Sequence, residues 1–183
     1  MLFRSDFEPR RWVINFFDWE EEMAKQYPEC YQILLDRVYP ERTEKKPNGQ
    51  YKVESAAATH WWRFARPKMD LMDAQKKISR FLVCTRVTKY LSFTFFSNPN
   101  IVFTDAAVVL LYETYAEFAV LQSNLYEGWA RKYSSTMKND LRFAPSDCFE
   151  NFPFPRENTD ERERTGKAFY ELRAQIIKTG RKG

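Results

Sequence analysis

The sequence predicts an α+β fold: a small mixed or antiparallel sheet with packed helices, and helical extensions at the N- and C-terminal ends. Short runs rich in β-branched and aromatic residues, separated by turn residues, fill 81–112. Stretches with apolar residues at three- and four-residue spacing follow at 115–132 and 160–178. Because consecutive short strands usually pair antiparallel, we expect one small sheet covered by helices. Hydrophobic residues make up 44% of the 183, enough to bury a core.

The part of the chain that precedes the sheet is predicted to be mostly helical. The run 12–17 is rich in aromatic and β-branched residues and predicts a short strand. Acidic residues just after it favour a helix over 18–27, which should stop at Pro28. Apolar spacing predicts a second helix over 29–38, and the prolines and Asn-Gly pair of 40–54 predict a loop.

The remaining elements follow from the same patterns. A helix is predicted over 69–78, followed by strands over 81–85, 91–96, 101–103 and 106–112, with a turn at 98–100. A helix over 115–132, a loop over 133–139 and an extended piece at 141–143 come next. No helix is predicted over 144–157, and the last helix covers 160–178 and ends at Gly180. In the helix over 115–132, the apolar side chains of Phe118, Leu121, Leu125 and Trp129 should pack on the sheet.

The last helix carries apolar residues on one side, at Phe169, Leu172 and Ile176. We therefore divide the chain into a connector over 1–55, a central domain over 56–157 and a C-terminal helix over 158–183.

Residue types needed for several kinds of catalysis are missing. The five glycines are dispersed, so no glycine-rich loop can cradle a phosphate or a dinucleotide. His60 is the sole histidine and the three cysteines are far apart, so neither a zinc cluster nor a Ser-His-Asp arrangement is recognisable. A loose nuclease-like spacing of Asp36, Glu44 and Lys46 remains as a weak alternative. We expect this chain to be no enzyme by itself, with no cofactor or metal of its own.

The apolar runs also bear on location. None approaches the roughly 20 residues that a membrane helix needs, so we expect no membrane partner. The first residues lack the basic and then apolar order of a signal peptide, and an odd number of cysteines suggests no disulfide framework. A cytoplasmic protein is expected.

Positive charge is concentrated in the middle of the chain. The net charge is +4 overall, but residues 1–59 hold 9 Lys and Arg against 11 Asp and Glu, whereas residues 60–145 hold 12 against 7. A polyanion would be attracted to this middle region. An excess of this size also occurs in proteins with no nucleic-acid role, so charge alone leaves both interpretations open.

Three segments in this region combine cations with aromatic or hydroxyl groups, namely 60–68, 85–90 and 129–138, and the binding face expected from the last extends to Arg142. Such groups can bind phosphates, stack on sugars or read base edges. The candidate DNA contacts are Trp62, Arg63, Arg66, Arg86, Thr88, Lys89, Arg131, Lys132, Ser134, Ser135, Thr136, Lys138 and Arg142. Each segment also has a structural interpretation. The first can be an aromatic core cluster with solvated arginines and at least one buried Trp. The second can be a charged hairpin connection, and the third can hold cations that favour a helix C-terminus.

Taken together, these strings resemble a known family. They look like the C-terminal specificity region of type IIG/IIL, MmeI-like restriction-modification proteins and of class I N6-adenine DNA methylases. The resemblance covers most of the chain. It is carried by Arg11-Trp12-Val13-Ile14-Asn15-Phe16, Trp61-Trp62-Arg63-Phe64-Ala65-Arg66-Pro67, Arg86-Val87-Thr88-Lys89-Tyr90, Glu127-Gly128-Trp129-Ala130-Arg131, Pro145 to Pro155 and Ala168 to Arg173.

The resemblance implies a non-catalytic domain that recognises a short asymmetric site in double-stranded DNA. It also implies a methyltransferase domain of the same full-length protein as partner, with S-adenosylmethionine as the cofactor of that domain. Met1 is then expected to mark a truncated gene or a boundary within a longer protein. The alternative is a protein-interaction module without DNA binding, for which 1–42 and the last helix are the best support.

Overall fold

The structure, a computed structural model, describes residues 12–64, 69–97, 101–137 and 139–179. Within them the chain forms two compact units, an N-terminal unit over 12–73 and a C-terminal unit over 74–179. The predicted turn at 98–100, the predicted helix end at Gly180, and the candidate contacts Arg66 and Lys138 lie outside the described residues.

Helices account for most of the regular structure in the described part of the chain. They are α1 Glu21–Ala24, α2 Pro28–Arg37, α3 Tyr39–Thr43, α4 Ser55–Thr59, α5 Met69–Gln75, α6 Tyr115–Leu121, α7 Asn124–Tyr133, α8 Pro145–Cys148 and α9 Asp160–Thr179. The strands are β1 Phe81–Thr85, β2 Val87–Thr88, β3 Thr94–Phe96, β4 Ala107–Leu110, β5 Ser135–Met137 and β6 Asp140–Arg142. The predicted α+β class is confirmed.

The N-terminal unit is built around a buried aromatic cluster. Phe16, Trp61 and Trp62 are each no more than 6% exposed. The Arg42 guanidinium donates hydrogen bonds to the carbonyl oxygens of Trp61 at 3.0 Å and Arg63 at 2.6 Å, which holds the tryptophan segment against α3. The helices of this unit therefore serve to bury indole rings.

The strand predicted over 12–17 is wrong. Phe17 takes a left-handed conformation, with φ of 51°, and its amide donates to the Asn15 side chain at 3.0 Å. This turn ends the extended run at Phe16, and residues 12–17 pair with no strand among the described residues. The following helix is also shorter than predicted, since α1 covers four residues only. The segment predicted to be a loop over 40–54 contains most of α3 and a single bridge between Lys45 and Tyr51.

A three-stranded antiparallel sheet in the order β3-β1-β4 forms the centre of the C-terminal unit. Successive β1 side chains point to opposite faces, and both faces are covered. Leu82 and Cys84 join a cluster that includes Phe118, whereas Phe81 and Val83 join a second cluster. Burial on both faces explains why β1 is a continuous apolar run rather than an alternating one.

The helix predicted over 115–132 is interrupted, because Gln122 and Ser123 separate α6 from α7 and Ser123 caps α7. The break rotates the apolar face of the second helix. Tyr126 is completely buried, while Leu125, which was predicted to pack on the sheet, is 76% exposed. Residues 101–103 form no strand, and α8 adds one helical turn where none was predicted.

The long helix α9 packs closely along α6. A side chain at Gly166 would lie 2.1 Å from the carbonyl oxygen of Tyr115, so only glycine permits this approach. The carboxylate of Glu163 accepts a hydrogen bond from the Ala116 amide at 2.6 Å, which satisfies a free N–H in the first turn of α6. The C-terminal helix is thus an integral part of the unit rather than a separate arm.

The apolar side predicted for this helix does not face the core. Phe169, Leu172 and Ile176 are 47%, 54% and 61% exposed. The packed side carries Tyr170 and Arg173 instead.

Candidate nucleic-acid interface

A second three-stranded sheet, in the order β2-β6-β5, brings two of the predicted segments together. β6 is central and pairs antiparallel with β2 and with β5. Each outer strand comes from a segment that the sequence analysis selected for its cations or hydroxyls. The loop predicted over 133–139 is therefore partly a strand, because its hydroxyl residues pair with β6.

One face of this sheet is exposed and the other packs inward. Val87, Arg142 and Ser135 lie opposite one another across the three strands and all are exposed. The neighbouring residue of β6, Leu141, is 2% exposed and belongs to the core. Since side chains alternate along a strand, burial of Leu141 directs Arg142 outward. We call the exposed face of β2-β6-β5, with Lys89, Tyr90, Arg131, Lys132 and Tyr133 at its ends, the cationic sheet surface.

A hydrogen bond joins the two segments beyond the strand pairing. The Arg131 guanidinium donates to the carbonyl oxygen of Lys89 at 2.7 Å and to the Glu127 carboxylate at 2.7 Å. It therefore links the last turn of α7 to the residue that follows β2. Thr88 donates its hydroxyl to the carbonyl oxygen of Tyr90 at 2.7 Å, so the backbone on both sides of Lys89 is held.

Two lysine–tyrosine pairs flank the sheet. The ammonium of Lys89 lies 5.3 Å from the ring centroid of Tyr90, and that of Lys132 lies 5.1 Å from the ring of Tyr133. Both rings are exposed, by 69% and 45%. Neither tyrosine was among the predicted contacts, although the repeated Lys-Tyr dipeptide at the ends of the two segments could have indicated them.

The cations of this surface differ in how they are engaged. The side chains of Lys132 and Arg142 form no hydrogen bond or ion pair with the described residues, so their charges remain available to an outside anion. The charge of Arg131 is partly offset by Glu127. The surface also carries one acid, Asp140, which alternation places on the same face as Arg142.

Arg86 has a mainly structural position between the two sheets. Its amide donates to the carbonyl oxygen of Ala106 at 2.8 Å, and its own carbonyl accepts from the Phe143 amide at 2.7 Å. Its guanidinium donates to the carbonyl oxygen of Asp105 at 2.6 Å. Arg86 thus connects β1 to β2, and only the part of its guanidinium not facing Asp105 can contact a ligand.

The hydroxyl residues are placed unevenly. Ser135 and Thr136 are exposed, whereas Ser134 is half-buried at the end of α7 with its hydroxyl oxygen inaccessible. Thr88 and Thr136 lie opposite Leu141, on the inward side, and Thr136 is exposed because β5 is an edge strand.

Trp62 and Arg63 lie in the N-terminal unit, where each is committed to internal contacts. The Trp62 indole is 6% exposed and donates to the carbonyl oxygen of Trp19 at 2.9 Å. Arg63 donates to the same oxygen at 2.9 Å and pairs with Glu20 at 2.9 Å. The aromatic core cluster with at least one buried Trp is confirmed, whereas Arg63, which was expected to be solvated, is held by internal contacts. A buried indole cannot stack on DNA, so we do not include Trp62 in the interface.

Both acids of the nuclease-like spacing are occupied by local contacts. Asp36 accepts a hydrogen bond from Gln32 at 2.7 Å, and Glu44 pairs with Lys52. In the described ranges, no group of three or more His, Cys, Asp or Glu side chains is arranged to hold a metal ion. Within the same ranges, no helix is long and apolar enough to cross a membrane.

The C-terminal unit thus presents a small sheet with cations on and beside its exposed face. A family model described as the MmeI target recognition domain matches residues 8–156, and the chain belongs to that family. The family inferred from the sequence is therefore confirmed. A target recognition domain is not catalytic by itself.

The fold is similar to one solved structure, of the type IIL restriction-modification enzyme MmeI in complex with DNA. The match has a TM-score of 0.55 and 13% sequence identity, and covers 94% of this chain. The chain spans about a fifth of the length of that protein, since 21% of it is covered. A comparison with curated proteins gave no match.

Proposed function

We propose that this chain recognises a DNA sequence as the target-recognition part of a larger restriction-modification enzyme. The observation that carries the proposal is the β2-β6-β5 sheet, which presents Arg142 and Ser135 on one exposed face, with Lys89 at the end of the neighbouring strand. The solved MmeI structure is a complex with DNA, and this chain shares its fold and family. Duplex DNA is accordingly the proposed ligand.

The contacts divide by what each side chain can offer. Lys132 and Arg142 provide charges that can neutralise phosphates, and Ser135 provides a hydroxyl that can bond to a phosphate oxygen. The accessible part of Arg86 can donate to guanine in the major groove, and Lys89 can bind a backbone phosphate. Phosphate contacts position the domain, while base contacts determine the sequence.

The other parts of the enzyme are proposed from the family. S-adenosylmethionine would be bound by a methyltransferase domain of the same full-length protein, since the dispersed glycines of this chain offer no nucleotide loop. The chain itself is proposed to bind duplex DNA weakly, because the methyltransferase domain supplies part of the clamp.

Fluorescence anisotropy with a labelled duplex at about 50 mM salt tests the proposal, since weak electrostatic binding is strongest at low ionic strength. The wild-type chain should bind, with an affinity that falls steeply as salt is raised. Arg142→Ala should reduce the slope of log affinity against log salt by about 0.9, the value for one lost phosphate contact. Lys167→Ala is the matched control, an exposed cation of α9 outside the sheet, and should leave the slope unchanged. No binding above that of a neutral protein would contradict the proposal.

Protein docking is a second role, favoured by the exposed apolar side of α9. Phe169, Leu172 and Ile176 form a stripe of i, i+3, i+7 spacing that the C-terminal unit leaves uncovered. Association through this stripe should be insensitive to salt and weakened by Leu172→Lys, whereas duplex binding should tolerate that change. The two roles are compatible in a domain of a larger enzyme.

A further inference from the structure

Tyr90, on the cationic sheet surface, has an exposed aromatic ring whose position is not explained by packing against other rings. Tyr90 is 69% exposed, and within the described ranges its ring contacts no other aromatic ring. Tyr133 differs in this respect, because its ring lies 4.3 Å from that of Trp129 one helical turn earlier, so intrahelical stacking explains its position. A single exposed apolar residue needs no explanation by itself. The surroundings of Tyr90, however, indicate a ligand contact.

The backbone around Tyr90 is fixed on both sides. The Tyr90 carbonyl accepts from the Thr88 hydroxyl at 2.7 Å, and the preceding carbonyl, of Lys89, accepts from Arg131 at 2.7 Å. The ring is therefore presented by a restrained segment rather than by a free loop. Restraint of this kind lowers the entropy lost when a side chain contacts a ligand.

The ring also borders an open cleft of about 160 Å³. Besides Tyr90, the cleft is lined by Val83, Cys84, Thr85, Thr88, Ser92 and Phe96, so that apolar walls alternate with hydroxyl groups. Lys89, whose ammonium lies over the Tyr90 ring, places a positive charge beside the opening. The Lys89 ammonium beside the Tyr90 ring therefore suits a ligand that has an anionic group next to an apolar one, as the backbone of a DNA strand does.

We propose that Tyr90 is a DNA-contacting residue whose ring packs on an apolar group of a nucleotide while Lys89 binds the adjoining phosphate. The inference rests on the proposed function. It adds packing of an aromatic ring on an apolar group of DNA, which the charged groups of the surface do not provide. In a duplex the base faces are stacked internally, so the apolar groups within reach are the deoxyribose and the methyl group of thymine.

The distinguishing measurement is the salt dependence of binding by two neighbouring variants. A ring contact releases no counterions, so Tyr90→Ala should lower duplex affinity about fivefold or more with an unchanged salt slope. Lys89→Ala should lower the slope by about 0.9. Tyr90→Phe should bind like the wild-type chain, because it retains the ring. Phe169→Ala, which removes an exposed ring of α9, is the control and should bind normally.

Duplexes in which uracil replaces thymine separate the two apolar groups. If the ring packs on a methyl group, the wild-type chain should lose affinity for the uracil duplex and Tyr90→Ala should not. If it packs on deoxyribose, both duplexes should bind the wild-type chain alike and both should bind Tyr90→Ala less tightly. Wild-type affinity in a folded Tyr90→Ala protein, checked by its thermal unfolding, would overturn the inference. Absence of binding by the wild-type chain would instead refute the proposed function.

Discussion

The Arg131 guanidinium and the carbonyl oxygen of Lys89 form a 2.7 Å hydrogen bond between residues 42 positions apart in the chain. This contact ties the end of α7 to the end of β2 and is made by a side chain that also pairs with Glu127. Arg131 is thereby a positioning residue for the cationic sheet surface as well as one of its charges.

Replacing Arg131 by lysine separates these two contributions. Lysine keeps the charge but lacks the planar group that bonds to Lys89 and Glu127 together. We expect Arg131→Lys to weaken binding of all duplex sequences severalfold while the salt slope is retained. Anisotropy titrations at several salt concentrations check this. Unchanged affinity together with an unchanged slope would show that Arg131 contributes only its charge, which lysine retains.

Substitution by alanine is predicted to have opposite effects at two helical glycines, one at the contact between α6 and α9 and one in α7. A Cβ at Gly166 would lie 2.1 Å from the Tyr115 carbonyl oxygen, so Gly166→Ala must shift backbone and should destabilise the protein by about 1–3 kcal/mol. A Cβ at Gly128 in α7 would meet nothing within 4 Å, so Gly128→Ala should stabilise by about 0.5–1 kcal/mol through helix propensity. Urea unfolding of both variants measures the difference. Equal midpoints would contradict the close approach of the two helices.

Arg173 should be important for stability although it forms no ion pair with the described residues. Its guanidinium donates to the Phe93 carbonyl oxygen at 2.5 Å, to the Gln122 side chain at 3.1 Å and to the Ser92 hydroxyl at 3.0 Å, and burial lowers its pKa. Arg173→Ala leaves these acceptors without a charged donor and should cost about 2–3 kcal/mol of unfolding free energy. Arg164→Ala, at an exposed position of α9, should change it by less than about 0.5 kcal/mol.

Glu113 makes a pH-dependent contribution whose direction can be stated. Hydrogen bonds from the Ser79 amide and hydroxyl lower the pKa of Glu113, with a smaller contribution from Arg80. A carboxyl with a lowered folded-state pKa stabilises the protein above its unfolded pKa, near 4.3, and loses that contribution as pH falls through the folded value. Glu113→Gln should therefore flatten the decline in melting temperature below about pH 4.3. An identical decline in the variant would contradict this assignment.

Sequence patterns predicted the helices in which apolar residues recur over several turns, such as α2 and α9, and the continuous apolar strand β1. They failed where tertiary contacts decide the outcome. The break between α6 and α7 depends on Ser123 as a cap, and it moves Tyr126 into the position expected for Leu125. The strand β5 was missed because Ser135 and Thr136 have loop-like composition and become a strand only by pairing with β6.

The candidate site was predictable in the same partial way. Charge and hydroxyl content selected 85–90 and 129–142, but only strand pairing shows that these segments form one surface. The segment around Trp62 has a similar composition but is buried. Aromatic and arginine side chains occur in buried clusters as well as in interfaces, so composition does not distinguish them. Burial, which no single sequence reveals, separates the two cases.

Amide hydrogen–deuterium exchange of the chain with and without duplex DNA, at about 50 mM salt, tests the cationic sheet surface most directly. We predict that DNA slows exchange in peptides covering 86–90 and in those covering 132–142 together, with no change over 169–176. Binding that protects α9 or the N-terminal unit, and leaves both sheet segments unprotected, would contradict the proposed interface.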